Sequence, residues 1–142
     1  MKQHYPSSTR EVTATLKSHG ISPTRQRVEL GRLILSRPQH LTADALYDMA
    51  RARNAPVSRA TVYNTLRLFS GQGLLNEVVI DANAKYFDSN LQPHQHLFNT
   101  TTGELTDLDS NKLSVTGIPK LPRNAHIEGI DIVIRYSDAA ER

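Results

Sequence analysis

Cysteine is absent from the 142 residues, which removes disulfides, thiolate zinc sites and thiol nucleophiles together. That absence suits a reducing compartment, and a cytoplasmic location is expected. No apolar run approaches the roughly 20 residues that a membrane-spanning helix requires. The opening Met1-Lys2-Gln3-His4-Tyr5-Pro6 lacks the apolar core of a secretory signal. Hydrolytic signatures are missing too: there is no HExxH to place a general base beside zinc, and no GxSxG to present a nucleophilic serine. The GxG at Gly71-Gln72-Gly73 is too short for a dinucleotide loop and reads as a helix terminus. Catalysis finds no support, and a binding protein is expected.

What is present is a charge split. The net charge is only +3, but residues 1–90 carry 12 Lys/Arg against 7 Asp/Glu, whereas residues 91–142 carry 5 against 7. A basic first part joined to an acidic second part suggests a polyanion-facing module with something attached. At 38% hydrophobic residues, the length fits one medium domain or two small ones.

Four helices are predicted in the first part, over about residues 7–19, 24–36, 42–54 and 58–70. Ser8 or Ser7, Thr42 and Ser58 stand at N-cap positions and Thr24 opens the second helix, while Gly20, Pro38, Asn54-Ala55-Pro56 and Gly71-Gln72-Gly73 close the runs. Residues 74–80 and 85–88 flank Asp81-Ala82-Asn83-Ala84 as a β-hairpin. Helices followed by a hairpin is the winged-helix order, with the last helix placed for the major groove. Residues 89–93 read as a polar linker. A second hairpin is predicted around Thr101-Thr102-Gly103, and the alternating Ile130, Ile132 and Ile134 predict a half-buried strand over residues 127–134. So few apolar groups over about fifty residues predict that a partner subunit completes this part.

The fourth helix has the pattern that major-groove reading requires. Val62, Leu66 and Phe69 share one face, and Arg59, Tyr63 and Arg67, with Asn64 beside them, form a polar stripe. Arginine suits phosphates or guanine edges, asparagine suits adenine, and tyrosine suits thymine methyls. Lys17, Arg25 and Arg27 would sit near the DNA backbone. The plain alternative, a solvated amphipathic helix with a basic face, stays open here.

A second constellation suits a metal. His94-Gln95-His96 enters a predicted strand, where residues two apart point to one face. Asp107 stands on the return arm and Asp88 at the end of the wing. Nitrogen and carboxylate donors without thiolate suit Fe²⁺, Mn²⁺ or Zn²⁺. His40 lies in a loop before the third helix, and nothing local marks it as a ligand.

The chain resembles the ferric uptake regulator (Fur) family. The resemblance rests on Thr24-Arg25-Gln26-Arg27-Val28, His40-Leu41-Thr42-Ala43-Asp44-Ala45-Leu46-Tyr47, Ser58-Arg59-Ala60-Thr61-Val62-Tyr63-Asn64-Thr65-Leu66, Tyr86-Phe87-Asp88 and His94-Gln95-His96. It implies an α+β fold: an N-terminal winged helix-turn-helix domain over residues 1–90, then a small α/β dimerisation domain over residues 91–142. It implies a metal-dependent DNA-binding regulator, a repressor acting as a homodimer on AT-rich palindromes of double-stranded DNA. His40, Asp88, His94, His96 and Asp107 match the regulatory metal ligands, for Fe²⁺ or Mn²⁺ with Zn²⁺ as a substitute, at the junction of the domains. Ser58 and Thr61 join the DNA-facing set.

Departures from the family pattern matter as well. The cysteine pairs of the family's structural zinc are missing, and Pro93 and Gln95 stand where an additional metal site would need ligands. Phe87-Asp88-Ser89-Asn90 and Ile130-Asp131-Ile132-Val133-Ile134-Arg135 are closest to the iron response regulator (Irr) branch. Asp107 is shared with peroxide-sensing (PerR) members, in which a ligand histidine, here His40 or His94, is oxidised. Iron-homeostasis or peroxide-stress genes are the expected targets. Three alternatives stand beside this reading: a haem-responsive Irr-type regulator, a constitutive DNA binder with a vestigial site, and a metalloenzyme or metal-storage module.

Overall fold

Four helix starts share one device. In the computed structural model, which describes residues 2–139, α1 (Thr9–Ser18), α2 (Arg25–Ile34), α3 (Ala43–Ala52) and α4 (Arg59–Gly71) follow the N-caps Ser8, Thr24, Thr42 and Ser58. Each cap is extended, and its hydroxyl accepts the N–H of the residue three further on: Glu11, Arg27, Ala45 and Thr61. One orphan donor per helix is thereby satisfied.

Three of the helices end alike. Ile21 N donates to Leu16 O at 2.9 Å, Ala55 N to Ala50 O at 2.9 Å and Leu74 N to Phe69 O at 2.9 Å. These bonds close Schellman turns through left-handed Gly20 (φ 73°), Asn54 (φ 55°) and Gly73 (φ 82°). Caps and stops about three to four turns apart set the lengths of these helices.

The chain divides into two compact units, Met1–Gln92 and Pro93–Arg142. In the first, apolar residues at helical spacing form one core. Val12 and Leu16 of α1, Leu30 and Ile34 of α2, Leu46 and Ala50 of α3, and Val62, Leu66 and Phe69 of α4 are all fully buried. A three-stranded antiparallel sheet flanks them in the order β1 (His40–Leu41), β3 (Ala84–Asp88), β2 (Asn76–Asp81). Phe87 of β3 closes the core. With α3 and α4 as helix-turn-helix and β2–β3 as wing, this unit is a winged helix. Among the described residues no helix is long and apolar enough to cross a membrane.

The second unit carries β4 (Gln95–Asn99), β5 (Leu105–Leu108) and β6 (Val133–Tyr136), in the order β5-β4-β6. β4 and β5 form an antiparallel hairpin, and β6 runs parallel to β4. Helical structure among its described residues is one 3-10 turn, Ser110–Lys112.

Two expectations are corrected. The strand expected over residues 127–134 is β6, confined to Val133–Tyr136. β4 is only five residues long and reaches back no further than the His96 N–H on Ile132 O at 3.2 Å, so residues 127–131 lack a strand partner among the described residues. Ile127, Ile130 and Ile134 are exposed. The linker expected over residues 89–93 begins later, because Ser89 is buried and bonded to Arg37 and Gln39, and Leu91 N donates to Gln3 Oε1 at 2.7 Å.

Gly31 marks the tightest helix contact: a Cβ there would stand 2.7 Å from Val12 Cγ1. Alanine would gain up to about 1 kcal/mol of helix propensity. It would also overpack a stiff, buried valine, at about 1–3 kcal/mol. Gly31→Ala is therefore expected to destabilise the protein in a urea titration, and unchanged or higher stability would show that Val12 yields.

Candidate functional site

Two groups of potential ligands are built by strand register, one in each unit. In the first unit His40 of β1 stands directly opposite Asp88 of β3. Opposed residues of an antiparallel pair project from the same face, so an imidazole and a carboxylate are placed side by side. Asp88 is 1% exposed, and its Oδ1 accepts Asn90 N at 2.9 Å.

Ser89 holds this short pairing in place. Its N–H donates to Gln39 O at 3.0 Å, its Oγ donates to Arg37 O at 2.6 Å, and the same Oγ accepts Gln39 N at 3.0 Å. Gln39 Nε2 in turn donates to Leu33 O at 2.7 Å and Ile34 O at 3.0 Å, filling carbonyls left over at the end of α2. His40 is thus hung from the helix end through Gln39.

In the second unit His94 immediately precedes β4, His96 lies in it, and Asp107 of β5 stands opposite His96. His94 Nε2 is 3.3 Å and His96 Nε2 3.6 Å from the same oxygen, Asp107 Oδ1. The two rings meet edge to face with centroids 4.6 Å apart. Both histidine side chains are almost buried, whereas that of Asp107 is 41% exposed. Two imidazole nitrogens and a carboxylate converging in this way form a borderline donor set, suited to Fe²⁺, Mn²⁺ or Zn²⁺. Gln95 between the histidines is structural: its Oε1 accepts Ile132 N at 2.6 Å and its Nε2 donates to Ile130 O at 3.3 Å.

The polar face of α4 is open. Tyr63, Asn64 and Arg67 are exposed, and the Arg67 guanidinium lies 5.8 Å from the Tyr63 ring centroid. Asn64 and Thr61 share a cleft with Arg27 of α2. Ser58 and Thr61 are engaged with each other, since Ser58 Oγ accepts Thr61 N at 3.0 Å and donates to Thr61 Oγ1 at 2.9 Å. Arg59 is turned toward α3, ion-paired with Asp44 and stacked 4.3 Å over Tyr47. Arg25 pairs with Glu29 at 3.2 Å, Arg27 Nη1 donates to Ser22 O at 3.0 Å, and Lys17 is exposed in the last turn of α1.

The sequence pattern of the ferric uptake regulator family matches residues 18–134. The chain belongs to that family. Membership makes it a metal-responsive transcriptional regulator and not an enzyme.

Among Fur-family relatives, the peroxide-responsive repressor PerR of Staphylococcus epidermidis is 32% identical over 97 residues, which cover 68% of this chain and 65% of that protein. The ferric uptake regulation protein of Synechococcus elongatus is 32% identical over 108 residues, covering 73% and 74%. The ferric uptake regulator of Pseudomonas aeruginosa, solved with manganese, shares the fold at 20% identity, with a TM-score of 0.68 over 90% of this chain and 98% of that one.

Three positioning features escaped sequence reasoning. A two-residue strand leaves no periodicity, so β1 was invisible, and with it the role of Ser89 and Gln39. The Asp44–Arg59 pair spans fifteen positions and has no local signature. The brace from Gln95 to residues 130–132 depends on a parallel pairing that sequence spacing does not reveal.

Removing the Ser89 hydroxyl leaves the partly buried Gln39 N–H and Arg37 carbonyl without this partner, at a cost of about 0.5–1.5 kcal/mol. Ser89→Ala is expected to lose stability of that order in thermal melts and also to weaken Mn²⁺ binding. Full retention of both would show that β1 is held by other means.

Proposed function

We propose that this Fur-family chain is a cytoplasmic repressor whose affinity for double-stranded DNA depends on one divalent ion, Fe²⁺ or Mn²⁺, held by His40, Asp88, His94, His96 and Asp107. The observation that carries the reading is the convergence of His94 and His96 on one oxygen of Asp107. The three donors of the second unit would leave positions of an ion open, and His40 and Asp88 would supply two more. One ion drawing on both would bias the arrangement of the units, and operator affinity would follow by population shift.

On DNA, α4 enters the major groove with Tyr63 and Asn64 toward the bases and Arg67 toward a phosphate, and Lys17, Arg25 and Arg27 meet the backbone. Ser58 and Thr61 set the start of the helix. Arg59 joins the interface by exchanging Asp44 for a phosphate. The target is an AT-rich palindrome read by a homodimer. Exposed Ile118, Leu121, Ile127, Ile130 and Ile134 in the second unit support pairing of two copies, because so much apolar surface on one small unit is otherwise left in water.

Operator binding by the purified protein at fixed salt tests this directly. Mn²⁺ is expected to tighten binding tenfold or more, which corresponds to about 1.4 kcal/mol of differential binding. His94→Ala and Asp107→Ala should each remove that gain while leaving the fold intact. Equal affinity with and without a chelator would contradict the proposal.

Phosphate and base contacts of the reading helix are distinguishable. Arg67→Ala is expected to lower the slope of log affinity against log salt by about one, whereas Asn64→Ala should cost about 1–3 kcal/mol at a cognate adenine and relax specificity there. An unchanged slope together with unchanged sequence preference would remove α4 from the interface.

Similarity to the peroxide-responsive repressors, together with aspartate at position 107, favours peroxide as the signal. The expected outcome of treating the Fe²⁺-loaded protein with hydrogen peroxide is loss of DNA binding and a one-oxygen mass gain on a peptide containing His40 or His94. Retained binding without that mass gain would point to iron status as the signal.

A further inference from the structure

The first unit carries a second concave feature, whose lining includes none of the proposed ligands and none of the polar stripe of α4. A cleft of about 630 Å³ opens between the C-terminal ends of α2 and α3, and its lining includes Arg32, Arg37 and Arg53. All three are exposed, and among the described residues none is paired with a carboxylate. Arg32 Nε donates weakly to Ser7 O at 3.4 Å, and Arg37 Nε to Gln39 Oε1 at 3.3 Å. The carboxylate in the lining, Glu29, is engaged by Arg25.

Three other basic residues of this unit are neutralised locally, in Arg25–Glu29, Arg59–Asp44 and Lys85–Glu77. A helix C-terminus favours a nearby cation, which accounts for Arg32 in the last turn of α2 and Arg53 at the C-cap of α3. It does not account for Arg37 beyond the helix, nor for three guanidiniums meeting at one depression. Below them Leu33, Met49 and Ala55 give the cleft an apolar floor.

We propose that this cleft binds a small organic phosphate. The guanidiniums would take the phosphate oxygens in charge-assisted hydrogen bonds, and the apolar floor would take the organic body. The volume falls in the range of small-ligand sites, roughly 300–1,000 Å³. Bare inorganic phosphate would use the rim alone and bind more weakly. Arg53, Asn54 and Ala55 also begin the turn that leads to Ser58 and α4, so a bound ligand lies one turn from the reading helix.

Calorimetric titration of the full chain with adenosine monophosphate and, separately, with inorganic phosphate tests the assignment. Adenosine monophosphate is expected to bind more tightly than phosphate. Arg32→Ala, Arg37→Ala and Arg53→Ala should each weaken it about tenfold, as expected for loss of one hydrogen bond between charged groups. Unchanged melting curves would confirm that these rim variants fold. Three outcomes overturn the proposal: no heat with adenosine monophosphate, a signal that survives all three substitutions, or variants whose only change is a lower salt dependence of DNA binding, which would make the arginines part of the DNA backbone contact.

Discussion

The donors assigned to the ion depend on strand register. His40 reaches Asp88, and His96 reaches Asp107, because each pair is directly opposed across an antiparallel ladder. A slip of one residue would turn every side chain of the moving strand to the other face and separate both pairs. The structure guards each register by side-chain hydrogen bonds. Ser89 and Gln39 lock the first, and Asn99 holds the second, its Oδ1 accepting Thr101 N at 2.9 Å in the turn closed by left-handed Gly103. Gln95 then ties β4 to the segment entering β6. Polar residues that look dispensable in the sequence are thus the ones that aim the histidines.

Charge is arranged with similar economy. The excess of basic residues in the first part is not spread evenly over it. Arg59 is kept by Asp44 and Tyr47, Arg25 by Glu29, and Arg67 lies beside the Tyr63 ring. On the proposed reading, each would exchange this partner for a phosphate at small cost, since exposed ion pairs contribute only about 0–1 kcal/mol. Held side chains lose less freedom on binding than free ones do.

Much of this was legible beforehand, for physical reasons. The caps Thr42 and Ser58, the choice of Ser8 or Ser7, and the stops near Gly20, Asn54 and Gly73 are local chemistry, and local chemistry is written in adjacent residues. The wing was visible from alternation around an Asp-Ala-Asn-Ala turn, and His94, His96 and Asp107 from one hairpin. His40 was different: its nearness to Asp88 depends on a two-residue strand and on Ser89, and only the family resemblance pointed to it. The isoleucine alternation near the end misled, because a strand exists only where a neighbouring strand can receive its hydrogen bonds. Arg59 was read as open for DNA, and its engagement with α3 required tertiary structure to see.

The central claim is that one ion takes nitrogen from both units. Pulsed electron paramagnetic resonance of the Mn²⁺-loaded protein counts imidazole nitrogens bound to the metal. The account predicts one Mn²⁺ per chain with three such nitrogens, falling to two in His40→Ala and to two in His96→Ala. A count that is unaffected by His40→Ala, or two separate ions per chain, would contradict it.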